Sequence, residues 1–315
     1  KTIALGEVIQ INNDKLGKNT IQIETIRHYG VPEKQNLISP TKLASLAKCE
    51  TGRYAYLNGQ RYRSTGTKSA PLILGTAAHE IFRYATEMAK STWLKSTDIS
   101  SDIAETAAFA CNDALEAIKI NDPDFLIDAQ RIRPFWQQWV TTWLNQRANV
   151  FSTLVNDGMS ATTALADALP LTEVDLKSNQ LGIYGRADQI FQRHNKYDEL
   201  SIKVTDLKTD ERMTTYLSQQ SHQIQLVTYA VVAEETLNLP CDQVSILFLK
   251  NMDEQVFTVT SEAKSLVKDL VKQYREIITA VNPPPMLSGL DAEMRCPRCP
   301  LRNQCYRLAE LNGEF

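Results

Sequence analysis

The sequence lacks several features that would assign it to a common functional class. No uninterrupted apolar run approaches the roughly 18 residues of a transmembrane helix, so no membrane span is predicted. No Gly-x-x-x-x-Gly-Lys-Ser/Thr motif is present, so any motor that unwinds nucleic acid would be a separate chain. The formal net charge is −3, which argues against a protein that coats nucleic acid without selectivity.

The remaining bulk properties describe a globular chain. No secretory signal is visible at Lys1-Thr2-Ile3, and the expected compartment is the cytoplasm, where disulfides are uncommon. Hydrophobic residues make up 43% of the 315 residues, enough to bury a sizeable core. The length suggests about two domains or one elaborated domain.

The charge is unevenly distributed along the chain. Residues 48–68 hold five Lys or Arg against one Glu, with tyrosines among them, and residues 295–307 hold four Arg and no acid. Residues 98–128, by contrast, hold eight acids and one Lys. Basic stretches with interleaved aromatics suit a groove for single-stranded nucleic acid, although ordinary surface charge is the simpler alternative. The candidate DNA contacts in the first basic stretch are Arg53, Arg61 and Arg63.

The most informative stretch, Leu181 to Thr209, predicts two strands joined by a polar turn. The first strand carries Asp188, and the second carries Asp206 and Lys208 at the end of an apolar stripe. Charges at such positions are costly to bury unless they are paired or bind a ligand. Two carboxylates from neighbouring strands can hold Mg²⁺ or Mn²⁺, and a nearby lysine can contact the attacking water or a phosphate. A cross-strand salt bridge is the alternative.

A helix predicted from Ser221 onward places Gln225 and Tyr229 on one face. Gly-x-x-Asp, Asp-x-Lys-Thr and Gln-x-x-x-Tyr, in this order, resemble the PD-(D/E)XK nuclease superfamily in its RecB-like branch. The resemblance implies an α/β fold of the restriction-endonuclease type, a mixed central sheet flanked by helices, here with a helical insertion. It also implies a divalent-metal-dependent deoxyribonuclease, an exonuclease on single-stranded DNA ends, with any helicase, repair or CRISPR partner on a separate chain.

The resemblance further assigns roles to individual residues. His79 follows Leu-Gly-Thr at the start of a helix whose predicted N-cap is Thr76, and would join the metal shell; a packing role is the alternative. Glu173, on a strand predicted at 171–176, would position metal-bound water or be a surface acid. The implied metal ligands are His79, Asp188, Asp206 and the Leu207 carbonyl; the implied catalytic residues are Asp188, Asp206, Lys208 and Glu173; Gln225 and Tyr229 would contact DNA.

Three of the six cysteines form a C-x2-C-x5-C cluster near the end of the chain: Cys296, Cys299 and Cys305. Soft metal sites usually take four thiolates, and Cys49 is the predicted fourth. One distant cysteine with such a triplet resembles AddB-type and CRISPR-adaptation exonucleases, which implies a [4Fe–4S] cluster that ties the two ends together. Structural zinc on the same thiolates is the alternative. Cys111 and Cys241 are predicted to be free cysteines of the core.

Five segments are predicted: an N-terminal arm, 1–38; a helical segment with Cys49 and His79, 39–90; a helical insertion whose tryptophans pack in a core, 91–168; the nuclease core, 169–282; and the iron–sulphur segment, 283–315. Two other functions stay open. The chain could be a catalytically silent nuclease fold that binds DNA ends or a partner protein. It could also be a zinc-stapled regulator whose strand charges form only salt bridges. The intact set of two acids and a lysine argues against the silent fold, and metal analysis, iron with sulphide or zinc, would separate the regulator from the others.

Overall fold

The computed structural model describes residues 37–59, 69–194, 199–209 and 216–311. Residues 1–36 of the predicted arm lie outside these ranges, as do Arg61 and Arg63. No helix in the described part of the chain combines the length and apolarity that a membrane span requires.

A five-stranded mixed sheet forms the centre of the described chain, with the strands in chain order from one edge to the other. Neighbouring strands are antiparallel except the third and fourth, which are parallel and therefore need a crossover connection. A helix supplies that crossover. The predicted α/β fold with a mixed sheet is confirmed; the fifth strand was not predicted. The strands are β1 Leu171–Ser178, β2 Ile183–His194, β3 Leu200–Lys208, β4 Cys241–Phe248 and β5 Asp253–Thr258.

The described residues contain ten α-helices, and the seventh is the crossover between β3 and β4. They are α1 Pro40–Ala44, α2 Arg53–Gly59, α3 Ala70–Thr92, α4 Ile99–Asn121, α5 Leu126–Asn156, α6 Ala161–Ala168, α7 Tyr216–Leu237, α8 Ser261–Thr279, α9 Gly289–Arg295 and α10 Arg302–Leu311.

Two helix starts show how far local signals determine the fold. Ser39 caps α1 as its side chain accepts a hydrogen bond from the Lys42 amide at 3.2 Å, and Pro40 occupies the first helical position. The predicted cap at Thr76 is wrong, because α3 already begins at Ala70. Thr76 lies inside the helix and its hydroxyl donates to the Leu72 carbonyl. Pro71 favours the earlier start, and the helix continues through Gly75.

The two faces of the sheet pack against different groups of helices. One face, represented by Phe191 and Leu207, belongs to a core with α3 to α6, which carries the tryptophan-rich helix. The other face, represented by Ile190 and Val204, belongs to a core with α7, α8 and the N-terminal helices. Since neighbouring residues in a strand point to opposite faces, Asp188 and Asp206 share the second face with Ile190 and Val204.

The N-terminal segment is held against the second core. Ile38 forms a parallel bridge with Ile183 at the start of β2. Further along, a Cβ on Gly52 would lie 2.6 Å from the Ile277 side chain, and one on Gly59 would lie 2.4 Å from Ile278. These two glycines therefore let the chain around α2 approach α8 more closely than a larger residue would permit.

The tryptophan stripe of α5 provides a test of the first core. Trp136 is 1% exposed, whereas its neighbour Phe135 is 55% exposed. We expect Trp136→Ala to lower the free energy of unfolding by about 3–5 kcal/mol, because it removes a large buried side chain. Phe135→Ala is the matched control and should change it by about 0.5 kcal/mol or less. Urea unfolding measures both, and equal losses would contradict this assignment of the core.

Candidate active site

Two acids meet on adjacent strands where β2 pairs with β3. Gln189 pairs with Thr205 in the register, which brings Asp188 alongside Asp206 and Leu207. The Leu207 amide donates a hydrogen bond of 2.7 Å to Asp188 Oδ2. The backbone of the second strand thus fixes the carboxylate of the first. The predicted contact at Leu207 was a carbonyl on a metal; the contact in the structure is its amide on Asp188.

Both oxygens of Asp206 have a polar neighbour. Lys208 Nζ lies 2.7 Å from Asp206 Oδ2, and Gln225 Nε2 donates to Oδ1 at 3.3 Å. Burial raises the pKa of Asp206 to about 6, and the adjacent Lys208 ammonium opposes that rise. The acid and lysine of the Asp-x-Lys motif form one ion pair on one face of β3. This ion pair resembles the salt bridge that was the alternative to a metal site, except that it lies within one strand and not between two.

A second cluster joins Asp188 to two residues from other elements. One donor atom each from His79, Glu173 and Asp188 lie within 4.8 Å of one another, the distance expected of groups that can share a metal ion. His79 Nδ1 lies 3.3 Å from Asp188 Oδ1. Burial alone would lower the pKa of His79, but its hydrogen bond and charge interaction with Asp188 raise it above the ordinary value.

Glu173, the third member of this cluster, has an unusual backbone conformation. Its φ of +51° is in the left-handed region, within a strand, where a residue with a side chain is strained by about 1–3 kcal/mol. Burial and the charge of Asp188 raise the pKa of Glu173 to about 7. The sequence pattern suggested an acid that positions water, and no signal in the sequence pointed to a donor atom this close to His79 and Asp188.

The glycine of Gly-x-x-Asp has a packing role next to this site. A Cβ on Gly185 would lie 2.7 Å from Pro40 Cδ and 2.9 Å from Tyr229 Cε1. Tyr229 is buried, and burial raises the pKa of its hydroxyl. The glycine therefore lets α7 approach β2, and this approach brings Gln225 to Asp206. The three motifs recognised separately in the sequence form one contact network.

A family model described as the PD-(D/E)XK nuclease superfamily matches residues 37–306. The chain belongs to the PD-(D/E)XK nuclease superfamily. Members of this superfamily are nucleases that typically use a divalent metal, so the chain's substrate is a nucleic acid. No curated protein sequence gave a match. The predicted counterparts of the acids and the lysine that give the superfamily its name stay Asp188, Asp206 and Lys208.

The four cysteines predicted to form one site line a single cavity in this superfamily member. Cys49 comes from the N-terminal segment, and Cys296, Cys299 and Cys305 come from the C-terminal segment. All four are free thiols, and Cys49 Sγ lies 3.2 Å from the Thr51 hydroxyl. The two cysteines predicted to be free core residues, Cys111 and Cys241, are buried elsewhere.

Arg53 requires a correction. It was predicted to contact DNA, but it is 1% exposed and lines the cysteine cavity instead. Its guanidinium donates to the carbonyl oxygens of Pro284 at 2.8 Å and Cys305 at 3.3 Å. An arginine within a basic stretch can lie at the surface or be buried and donate hydrogen bonds to the backbone. Charge composition does not distinguish these two cases. Arg61 and Arg63 stay predictions, since they lie outside the described residues.

The close packing at Gly185 gives a test of the network. We expect Gly185→Ala to lower the free energy of unfolding by about 1–3 kcal/mol, because its methyl group overlaps the Pro40 and Tyr229 rings. The control is Gly75→Ala in α3, where the nearest atom to the new Cβ would be Thr209 Oγ1 at 3.8 Å. It should be neutral or raise the free energy of unfolding by about 0.5–1 kcal/mol. Denaturant unfolding compares the two, and a harmless Gly185→Ala would refute the packing role.

Proposed function

We propose that the chain is a divalent-metal-dependent deoxyribonuclease that acts as an exonuclease on single-stranded DNA ends. The observation that carries the proposal is the alignment of Asp188 and Asp206 on paired strands, with Lys208 bonded to the second acid. Membership in the nuclease superfamily supports the hydrolytic chemistry. Resemblance to the RecB-like branch supports the finer assignment to exonuclease action on DNA.

The donor set at this site fits a hard divalent cation. Two carboxylates and an imidazole, from Asp188, Glu173 and His79, are close enough to share one ion. Oxygen donors suit Mg²⁺, and the added imidazole nitrogen favours Mn²⁺ somewhat. Asp206 and the Leu207 carbonyl complete the proposed ligand set. A cation bound by these residues would supply an activated water and offset negative charge on the phosphate under attack.

The chain's own groups have separate tasks in this proposal. Lys208 donates a hydrogen bond to the attacking water or to a phosphate oxygen, and Asp206 keeps its ammonium in place. Gln225 holds the other oxygen of Asp206, so it orients the acid as well as contacting the DNA strand. Tyr229 packs against Gly185 and is 8% exposed, so little of its side chain is left to contact the strand. The helix that carries both residues therefore couples DNA contact to the position of the acid.

Substitution of the strand residues tests the nuclease. Asp206→Asn and Lys208→Met should each lower the rate of DNA hydrolysis by roughly 10²-fold or more, because each removes charge that acts on the water or phosphate. Asp269→Asn, at an exposed acid of α8, is the control and should cleave as the unmodified protein does. The assay uses anaerobically purified protein, end-labelled single- and double-stranded DNA, and Mg²⁺ or Mn²⁺.

The product pattern of the same assay separates the alternatives. A ladder that shortens from one labelled end supports an exonuclease, whereas internal fragments would replace that assignment with an endonuclease. Tight DNA binding without cleavage under either metal would favour the second candidate, a silent nuclease fold that binds DNA ends. Unimpaired cleavage by Asp206→Asn would contradict the proposed site itself.

For the cysteine cavity we propose a [4Fe–4S] cluster with a structural role. A tetrahedral zinc site with bonds of about 2.3 Å places its sulphur atoms about 3.8 Å apart. Among the described residues, the one group of three donors within 4.8 Å is that of His79, so no three of the four thiols are so close. The resemblance to the cysteine-stapled exonucleases supports a cluster, which has several metal and sulphide atoms between its thiolates. Zinc on the same thiolates is the alternative.

Elemental analysis tests the cluster. Anaerobically purified protein should contain iron and acid-labile sulphide, and Cys305→Ala should lose both together with much of its solubility, because it removes one of four ligands. Cys111→Ala, at a buried cysteine far along the chain from the cavity, is the control and should retain them. Zinc without sulphide would favour the alternative, and an active, soluble Cys305→Ala protein with full metal content would refute the site.

A further inference from the structure

Arg53 is a charged side chain placed inside the cysteine cavity. It is the first residue of α2, four residues after Cys49, and its side chain is buried among residues of the N-terminal and C-terminal segments. The cavity wall that includes it also contains all four thiols. A guanidinium is planar, stays charged and can donate several hydrogen bonds at once in fixed directions. This position is therefore suited to an interaction with the occupant of the cavity and not only with the backbone.

The hydrogen bonds of Arg53 reach the ligand segment directly. One nitrogen donates to the Pro284 carbonyl, before the cysteine triplet, and another donates to the carbonyl of Cys305. Arg53 thus connects the start of the C-terminal segment, at Pro284, to its last cysteine, Cys305. Its loss would release the Cys305 backbone.

The charge of a metal–thiolate group makes this placement favourable. Four thiolates carry more negative charge than a [4Fe–4S]²⁺ core or a zinc ion carries positive charge, so the ligated site is anionic. An anion in a partly buried cavity is stabilised by a nearby fixed cation, since the low local dielectric strengthens their attraction. Arg302 also lines this cavity, but it is exposed and stacks over Tyr306 at 5.4 Å. Solvent screens its charge more than that of Arg53.

We propose that Arg53 is the positioning and charge-balancing residue of the four-cysteine site, holding Cys305 in its ligand position and stabilising the anionic metal–thiolate group. The inference rests on the proposed metal site. It gives Arg53 a role in metal retention and in the reduction potential of a bound cluster. Groups that hydrogen-bond to metal ligands commonly change metal affinity by about 10–100-fold when they are removed.

The test compares Arg53→Met, Arg53→Lys and Arg302→Met with the unmodified protein, all purified anaerobically as the full chain. Iron and sulphide content, the rate of cluster bleaching in the presence of a chelator, and the reduction potential are measured for each. Arg53→Met should bleach roughly tenfold faster or more and have a more negative potential, because the reduced cluster loses a compensating charge. Arg53→Lys should bleach faster but keep a potential near the original, since it retains the charge without the planar fork. Arg302→Met should resemble the unmodified protein.

Each alternative outcome identifies which inference fails. Equal bleaching rates and potentials in Arg53→Met and the unmodified protein would overturn the role of Arg53 and leave the cluster intact. Protein without iron or zinc, unchanged in Cys305→Ala, would instead overturn the metal site and the role of Arg53 with it. If the site holds zinc, the rate of zinc release to a chelator replaces bleaching. An equal drop in the unfolding temperature of metal-loaded and metal-free Arg53→Met would show a purely structural role and would also overturn the proposal.

Discussion

The close approach of one buried and two half-buried carboxylates at one place on the sheet is the constraint on which the site depends. Asp188 lies between Asp206 on the next strand and Glu173 on the preceding one, and burial raises the pKa of both neighbours. Like charges at such distances repel each other unless hydrogen bonds and cations offset the repulsion. The Leu207 amide, the Lys208 ammonium and the His79 imidazole provide these interactions. The strands and the helix that carry these groups must therefore meet at this point. A divalent cation bound here would further offset the repulsion between the carboxylates.

The connectivity of the fold explains how one hairpin, one crossover helix and one glycine bring these groups together. The hairpin of β2 and β3 fixes the two acids relative to each other through its hydrogen-bond register. The parallel pairing of β3 with β4 requires a crossover, and α7 lies on the face that carries both acids. Gly185 then allows α7 to pack closely enough for Gln225 to reach Asp206. The crossover helix that the parallel strands require is thus also the helix that brings Gln225 to Asp206.

The sequence predicted those parts of the site that depend on local pattern and failed where distant packing decides. Charges at the end of apolar strands, and Gln225 with Tyr229 on one helix face, follow from periodicity, and the resemblance to the superfamily joined the acids and the lysine into one predicted site. The membership of Glu173 in the His79 cluster depends on a left-handed backbone that no residue preference encodes. Arg53 was misassigned because its burial depends on residues more than 200 positions away. The start of α3 was misplaced for a different, local reason, because Pro71 favours a start at Ala70 and the helix continues past Thr76.

Packing, and not the cysteines alone, brings the two ends of the chain together. A link between Cys49 and Cys296 closes a loop of about 250 residues, for which the chain entropy costs about 5 kcal/mol. The bridge of Ile38 to Ile183 and the close contacts of Gly52 and Gly59 with α8 already hold the N-terminal segment in place. These contacts hold the segment around Cys49 by packing, whereas a zinc finger folds only when metal binds. A metal on these thiols would add its binding free energy to this packing. Loss of the metal should therefore loosen the N-terminal and C-terminal segments before it affects the sheet.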